Sequence, residues 1–279
     1  MSSAGTAQSP DELLDVAIEA TSRAAGIVES SAGDRSALVW KEKGESDFVT
    51  DVDTRAESAI VAAIRSGSPD ARIVGEELTP DGITDGAGVT FVVDPLDGTT
   101  NFLHGYPEYA ISIAVMRDRE LVAGVVRNLT RDETFTATRG GGAYLNGQRI
   151  SVSPQTEPYR ALIGTGFPFK RHDLLEKYAQ QFIQVSRHTA GVRRAGSASL
   201  DLASVACGRF DGFWELVLAP WDIAAGVLII REAGGIVTDL SGAPKPVSVG
   251  AVVAGNPDIH PWLLRMVRKA VDNDIESLI

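Results

Sequence analysis

Val89-Thr90-Phe91-Val92-Val93-Asp94-Pro95-Leu96-Asp97-Gly98-Thr99-Thr100-Asn101-Phe102 is the stretch from which the rest of the chain can be read. Its first five residues are β-branched or aromatic, a buried-strand run that delivers Asp94 at its end. Asp94 and Asp97 flank a Pro-Leu turn, so both carboxylates and the Leu96 carbonyl can converge on one point. Gly98 permits close approach of the backbone, and the amides of Gly98 and Thr99 can point at an anion; a helix beginning here would add its dipole. Such a loop offers a hard cation one side and a phosphate the other. Taken alone it reads equally well as an Asp-rich turn with a Thr helix cap.

Two other acidic clusters also follow apolar stretches. Gly75-Glu76-Glu77 comes directly after Ile73-Val74, and Trp221-Asp222 opens an expected helix over 223–232. A carboxylate placed there is costly unless it is paired or bound to a metal. The three clusters together favour a metal-and-phosphate site over a plain turn.

Composition narrows the rest. The 279 residues carry 26 Lys plus Arg against 37 Asp plus Glu, a net charge of -11. That balance gives no electrostatic footprint for nucleic acid or an anionic membrane surface. The one cysteine, Cys207, excludes an intrachain disulfide and Cys-rich zinc or iron–sulfur sites. His104, His172, His188 and His260 are scattered, so oxygen ligands must dominate any metal site. No D-x-[DN]-x-[DN]-G loop with its closing Glu is present, which removes a calcium-sensor reading. The longest run without polar side chains, 223–230, is far short of the roughly 18–20 residues of a membrane span. Residues 1–9 have neither a basic nor an apolar segment of a leader. A soluble cytoplasmic protein is the expectation.

Working outward, Ser9-Pro10-Asp11-Glu12 forms a capping box that starts a helix running to Gly33, with Leu13, Ala17, Ala24 and Val28 on one face. A second helix is expected from Asp53 as N-cap to Gly67, with extended pieces at 38–40 and 48–50 between the two. Strands are expected at 111–115 and 121–126, and Asn146-Gly147 marks a hairpin turn. The second half alternates helices at 174–185, 199–207, 223–232 and 261–271 with strands at 211–215, 235–238 and 251–254. The best boundary is 153–158, which divides the chain into 1–152 and 153–279, with the site between the halves of one compact unit. No G-x-G-x-x-G follows the first strand, so the order suits a mixed α/β protein of layered sheets and helices rather than a doubly wound fold.

Glu76-Glu77, the nonapeptide Asp94 to Phe102, Trp221-Asp222 and the upstream Asp47-Phe48-Val49-Thr50 with Asp53 resemble, in order and spacing, the inositol monophosphatase family of magnesium-dependent, lithium-sensitive phosphatases. The resemblance implies a layered αβαβα sandwich and attack of metal-activated water on a small phosphate ester, with two to three Mg2+ per site. It implies Glu76, Asp94 and the Leu96 carbonyl on the first ion and Asp94, Asp97 and Asp222 on the second, with Glu76 sharing a third. Asp53 and Thr99 would orient the attacking water, and the amides of Gly98 and Thr99 would hold the phosphate. Asp97, Gly196, Ser197, Ala198 and Glu215 would contact the substrate's ring. A homodimer is also implied. Leu78 stands where the family usually has Ser, and the apolar Leu218-Ala219-Pro220 stands where many relatives have a polar contact, which leaves the substrate's polyol or sugar open. Inositol 1-phosphate leads, with fructose 1,6-bisphosphate, histidinol phosphate and nucleotide 3′-phosphates behind it. The alternative from another class is a non-catalytic metal-binding regulator on the same scaffold. His188 near Arg193-Arg194 reads equally as a further contact for an anion or as a salt-linked surface patch; Trp214, Trp221 and Cys207 read as packing residues.

Overall fold

The computed structural model describes residues 7–33, 40–44, 47–78, 87–169, 171–245 and 247–269. Helix α1 (Pro10–Ala32) begins as its sequence requires. Glu12 N donates to Ser9 Oγ at 3.2 Å and Ser9 N donates to Glu12 Oε2 at 2.6 Å. Strands β1 (Trp40–Gly44) and β2 (Asp47–Thr50) form an antiparallel pair leading into α2 (Asp51–Gly67). Positions 38 and 39 of the expected strand lie outside the described residues. The second helix starts earlier than its apolar pattern indicates. Thr50, not Asp53, is the N-cap, and Asp53 sits three positions in, accepting from Thr50 N at 3.0 Å.

A seven-stranded sheet follows, built from β3 (Arg72–Gly75), β4 (Val89–Asp97), β5 (Ala110–Arg117), β6 (Glu120–Asn128), β7 (Glu133–Thr138), β8 (Gly142–Leu145) and β9 (Gln148–Arg149) in chain order. Only β3 and β4 run parallel; the others are antiparallel neighbours. The Asn146-Gly147 turn joins β8 to β9 with φ of 48° and 76° at its two residues, as a tight hairpin demands. Side chains alternate between faces. Phe91, Val93, Ile111, Ile113 and Val115 pack beneath α1 and α2, while Val92, Ala110, Ala114 and Met116 point the other way. With both faces covered, the run over β4 can be apolar throughout.

The second face carries α5 (Ala198–Ala206) and α6 (Pro220–Glu232). From Ile223 to Ile230 every α6 residue is buried, so this helix is apolar on all sides because it is the middle layer of a sandwich. Beyond it lies a five-stranded sheet of order β11-β10-β12-β14-β13, formed by β10 (Leu162–Thr165), β11 (Gly191–Arg193), β12 (Gly212–Leu218), β13 (Ile236–Thr238) and β14 (Gly250–Gly255). Helices α4 (Leu175–Ser186) and α7 (Ile259–Lys269) close its outer face, setting Tyr178, Val185, Leu263 and Val267 among Ile163, Trp214 and Val253. Short α3 (Thr99–His104) completes the set. The layers therefore run α1 and α2, sheet, α5 and α6, sheet, α4 and α7, the expected αβαβα order. No described helix is long and apolar enough to cross a membrane. Strands β7, β10 and β11 were not among the elements expected from sequence.

Candidate active site

A cavity of about 330 Å³ opens where β4, β12 and α6 meet. Glu76, Asp94, Leu96, Asp97, Gly98, Thr99, Gly196, Glu215 and Asp222 line it, together with Trp221 and Arg194. Residues up to 146 positions apart, Glu76 and Asp222, are thus brought to one surface by the layering.

Asp94 ends the apolar part of β4 and is 1% exposed. Leu96 N donates to its Oδ1 at 3.0 Å, which folds the Pro-Leu turn back on the carboxylate. Burial pushes its pKa well above the usual carboxylate range, and the charges of Glu76, Asp97 and Asp222 push it further. Three donors converge on Asp97 Oδ2: Ser197 Oγ at 2.6 Å, Ser199 N at 2.8 Å and Ser199 Oγ at 2.5 Å. Burial nonetheless raises Asp97 too. Asp222 lies in the first turn of α6 and accepts from Ala219 N at 2.6 Å, so helix capping fixes the group that faces the cavity.

Glu76 depends on a residue that the sequence reading did not single out. Glu57 on α2 is wholly buried, and its carboxylate accepts from Glu77 N at 2.8 Å and Leu78 N at 3.0 Å. Gly75 makes this possible, since a Cβ there would lie 2.2 Å from Glu57 Oε1. The Glu57 carboxylate thereby fixes the turn that carries Glu76. Nothing local announces the pairing; the only signal in the sequence is an acid on the apolar side of α2.

Thr99 lines the cavity with Asp53 behind it. Thr99 Oγ1 is 3.0 Å from Asp53 Oδ1 and 3.0 Å from the Leu96 carbonyl. One hydroxyl has one proton, so only one of these oxygens receives it at a time. Asp53 also accepts from Thr50 through its amide and hydroxyl; burial raises its pKa against these bonds. Gly98 has φ +95°, and a Cβ there would meet Glu108 O at 2.9 Å, so only glycine fits this bend.

Of the expected substrate contacts, Asp97, Gly196 and Glu215 line the cavity. Ser197 and Ala198 are buried behind it, where Ser197 holds Asp97. Burial, and next the Asp222 charge, hold Glu215 well above the usual range. Trp214 is a packing residue, wholly buried, with Nε1 donating to Gln181 Oε1 at 3.2 Å. Trp221, read as packing, also forms cavity wall. His188 is exposed, lies in the turn after α4, is bonded through Nδ1 to Gln184 O of that helix, and does not line the cavity. Cys207 is half-buried, and its thiol is pushed up by burial.

The donor set tests whether a cation belongs here. The carboxylates of Glu76, Asp94, Asp97 and Asp222, with no histidine or cysteine beside them in the lining, suit a hard cation such as Mg2+. Mutual repulsion at Asp94 is the strain that positive charge would relieve. Among the described residues no three acidic or histidine side chains already form a finished coordination shell, so the carboxylates would have to draw together around an ion.

The model of the inositol monophosphatase family matches residues 9–272. A Pseudomonas aeruginosa protein named Nus factor SuhB is 45% identical over 259 residues, covering 92% of this chain and 96% of that protein. An inositol-1-monophosphatase of Rhizobium meliloti is 45% identical over 259 residues, covering 93% and 97%. The crystal structure of the extragenic suppressor protein suhB of Bartonella henselae matches with a TM-score of 0.88 and 39% identity, over 93% of this chain and 99% of that one. The inositol monophosphatase of Anabaena matches with a TM-score of 0.83 and 35% identity, over 93% and 96%.

Proposed function

The chain belongs to the inositol monophosphatase family, and from that premise we propose that it is a Mg2+-dependent phosphomonoesterase. It hydrolyses an inositol monophosphate of the myo-inositol 1-phosphate type to inositol and phosphate. The observation that carries this reading is the convergence of Glu76, Asp94, Asp97 and Asp222 with the Thr99–Asp53 pair on one cavity. Phosphate monoesters are among the slowest esters to hydrolyse, and acceleration by up to about 10²¹-fold is known.

Glu76, Asp94, Asp97, Asp222 and the Leu96 carbonyl would hold two to three Mg2+. When bound, these ions lower the pKa of water, neutralise the dianionic ester and stabilise the departing alkoxide. The protein supplies the rest. Thr99 donates to Asp53, which leaves its oxygen lone pairs to accept from a water in the cavity and aim it at phosphorus. Asp53 is a positioning residue, held by Thr50 and acting only through Thr99. Ser197 and Ser199 fix Asp97, and the capping of α6 fixes Asp222. Gly196 and Glu215 present a polar wall to the polyol.

The test is phosphate release from myo-inositol 1-phosphate with Mg2+, with EDTA, and in Asp94→Asn. Turnover should require Mg2+ and fall at least about 100-fold in Asp94→Asn. Release that persists in EDTA, or in Asp94→Asn at the wild-type rate, would sink the reading. The equal likeness to a protein named a Nus factor supports a second reading, a regulatory role on the same scaffold. No phosphate release from any ester would favour it.

A further inference from the structure

Five carboxylates line the cavity, from Glu76, Asp94, Asp97, Glu215 and Asp222, and a single cationic side chain, that of Arg194, among the described residues. Arg194 directly follows β11, and its guanidinium carbon lies 5.1 Å from the centre of the Phe167 ring and 4.5 Å from that of Phe169. The two phenylalanines follow β10, which is parallel to β11. Both segments therefore leave the carboxyl ends of their strands, the edge at which open α/β sheets bind ligands. The rings are braced edge to face, 5.6 Å apart, and Phe167 abuts Tyr178 in the same way at 5.2 Å.

Among the described residues the polar side of Arg194 is unclaimed: its Nε is buried without a partner, and the guanidinium makes neither an ion pair nor a hydrogen bond. Glu215 and Asp201 feel its charge, yet neither forms a salt bridge with it. A guanidinium serving as an internal counter-ion would be forked onto one of these carboxylates. This one is held by two aromatic faces instead. Gly196 stands beside it with φ +94°, and a Cβ there would lie 2.8 Å from Arg194 Nη1, so the glycine keeps space open at that nitrogen.

We infer that Arg194, held over Phe167 and Phe169, forms a second anion subsite in this cavity, which extends the activity to small polyol esters carrying a second phosphate. The inference rests on the phosphatase reading above for its chemistry and on the wall opposite in charge to the carboxylates for its specificity. In the step itself water oxygen bonds to the phosphorus of one phosphate as that phosphorus–ester oxygen bond breaks, and the leaving alkoxide takes a proton from water. The other phosphate stays intact, held bidentately by the guanidinium, a geometry that lysine's point charge reproduces poorly.

A flexible, acyclic pair of probes tests this without fixing the distance between subsites: mannitol 1-phosphate and mannitol 1,6-bisphosphate, compared by kcat/KM with Mg2+. The ratio of bisphosphate to monophosphate should fall about 10- to 100-fold in Arg194→Gln, the range expected for hydrogen bonds to a charged group, and fall less in Arg194→Lys. A ratio within twofold of wild type overturns the inference, even if both substrates slow. Should the wild-type chain hydrolyse neither mannitol ester, calorimetric titration of the same esters decides the subsite, and the phosphatase reading fails only if myo-inositol 1-phosphate is not hydrolysed either. Tighter binding of the bisphosphate to wild type than to Arg194→Gln then sustains it; equal binding overturns it.

Discussion

Glu57 separates what adjacent residues reveal from what only folding assembles. Asp94, Asp97, Gly98 and Thr99 announce themselves because their partners are neighbours in sequence, and the Pro-Leu turn between the acids is a local device. Glu57 works across 20 residues, on amides whose own sequence says nothing of where they point. A carboxylate receiving two amide bonds in the interior is a strong anchor, because removing it leaves both donors without a buried acceptor. Glu57→Gln keeps the shape but loses the charge and presents an amide nitrogen to one of those donors. We expect Mg2+ affinity, measured by calorimetry, to weaken about 10- to 100-fold, as it does when outer partners of metal ligands are lost. Asp51→Asn, an exposed helix position paired with Arg55, should bind Mg2+ within twofold of wild type. Unchanged affinity in Glu57→Gln would mean that Glu76 is placed by something else.

Among the elements, α1, β4, β5, β6, the 144–149 hairpin and α6 were legible because caps, turn residues or long apolar runs mark them. Strands β10 and β11 were not: β10 carries Gly164 and β11 has three residues, so both owe their conformation to neighbouring strands more than to propensity. β7, by contrast, alternates β-favouring threonines with Phe135 and Ala137 and carries a strand pattern, although it was not expected. The helix starting at 51 was misplaced for a related reason. Apolar periodicity shows where a helix faces the core but not which polar residue caps it. Packing between elements also decides what a glycine does. Gly26, inside α1, has open space at its missing Cβ, whereas Gly226, inside α6, would put a Cβ 2.6 Å from Leu202 Cβ on α5. Gly26→Ala should stabilise by about 0.5–1 kcal/mol through helix propensity. Gly226→Ala gains the same propensity but overpacks the helix pair, and should destabilise by about 1–2 kcal/mol. Denaturant midpoints at unchanged m values check both; a rise for Gly226→Ala would mean that α5 and α6 do not meet as closely as described.

For the whole molecule, the layers explain why the acidic balance of -11 is not spread evenly. Stacking two sheets around α5 and α6 brings the ends of β4 and β12 and the start of α6 to one cavity, where five acids collect. The spacing of the motifs made those acids legible. Arg194 stands out in the sequence only as part of a basic pair near His188; its position among the acids depends on the parallel pairing of β10 with β11, two strands that were not expected. The second sheet also carries a proton-linked element of stability. His260, at the start of α7, is 4% exposed and lies 3.0 Å from Thr238 Oγ1 on β13 through Nε2. Burial lowers its pKa from 6.5, so the folded state resists the charged imidazolium. As pH falls through about 6.5 the unfolded chain takes up the proton first, and stability is lost until the folded group also titrates. Above that pH the contribution is fully present. The loss from this one group is at most about 1.4 kcal/mol per pH unit. Urea unfolding of the wild type at intervals from pH 7.5 to 5 should therefore show a steeper decline than His260→Asn, whatever the two stabilities at pH 7.5. Parallel profiles would show that His260 takes up its proton as readily in the folded chain as in the unfolded one.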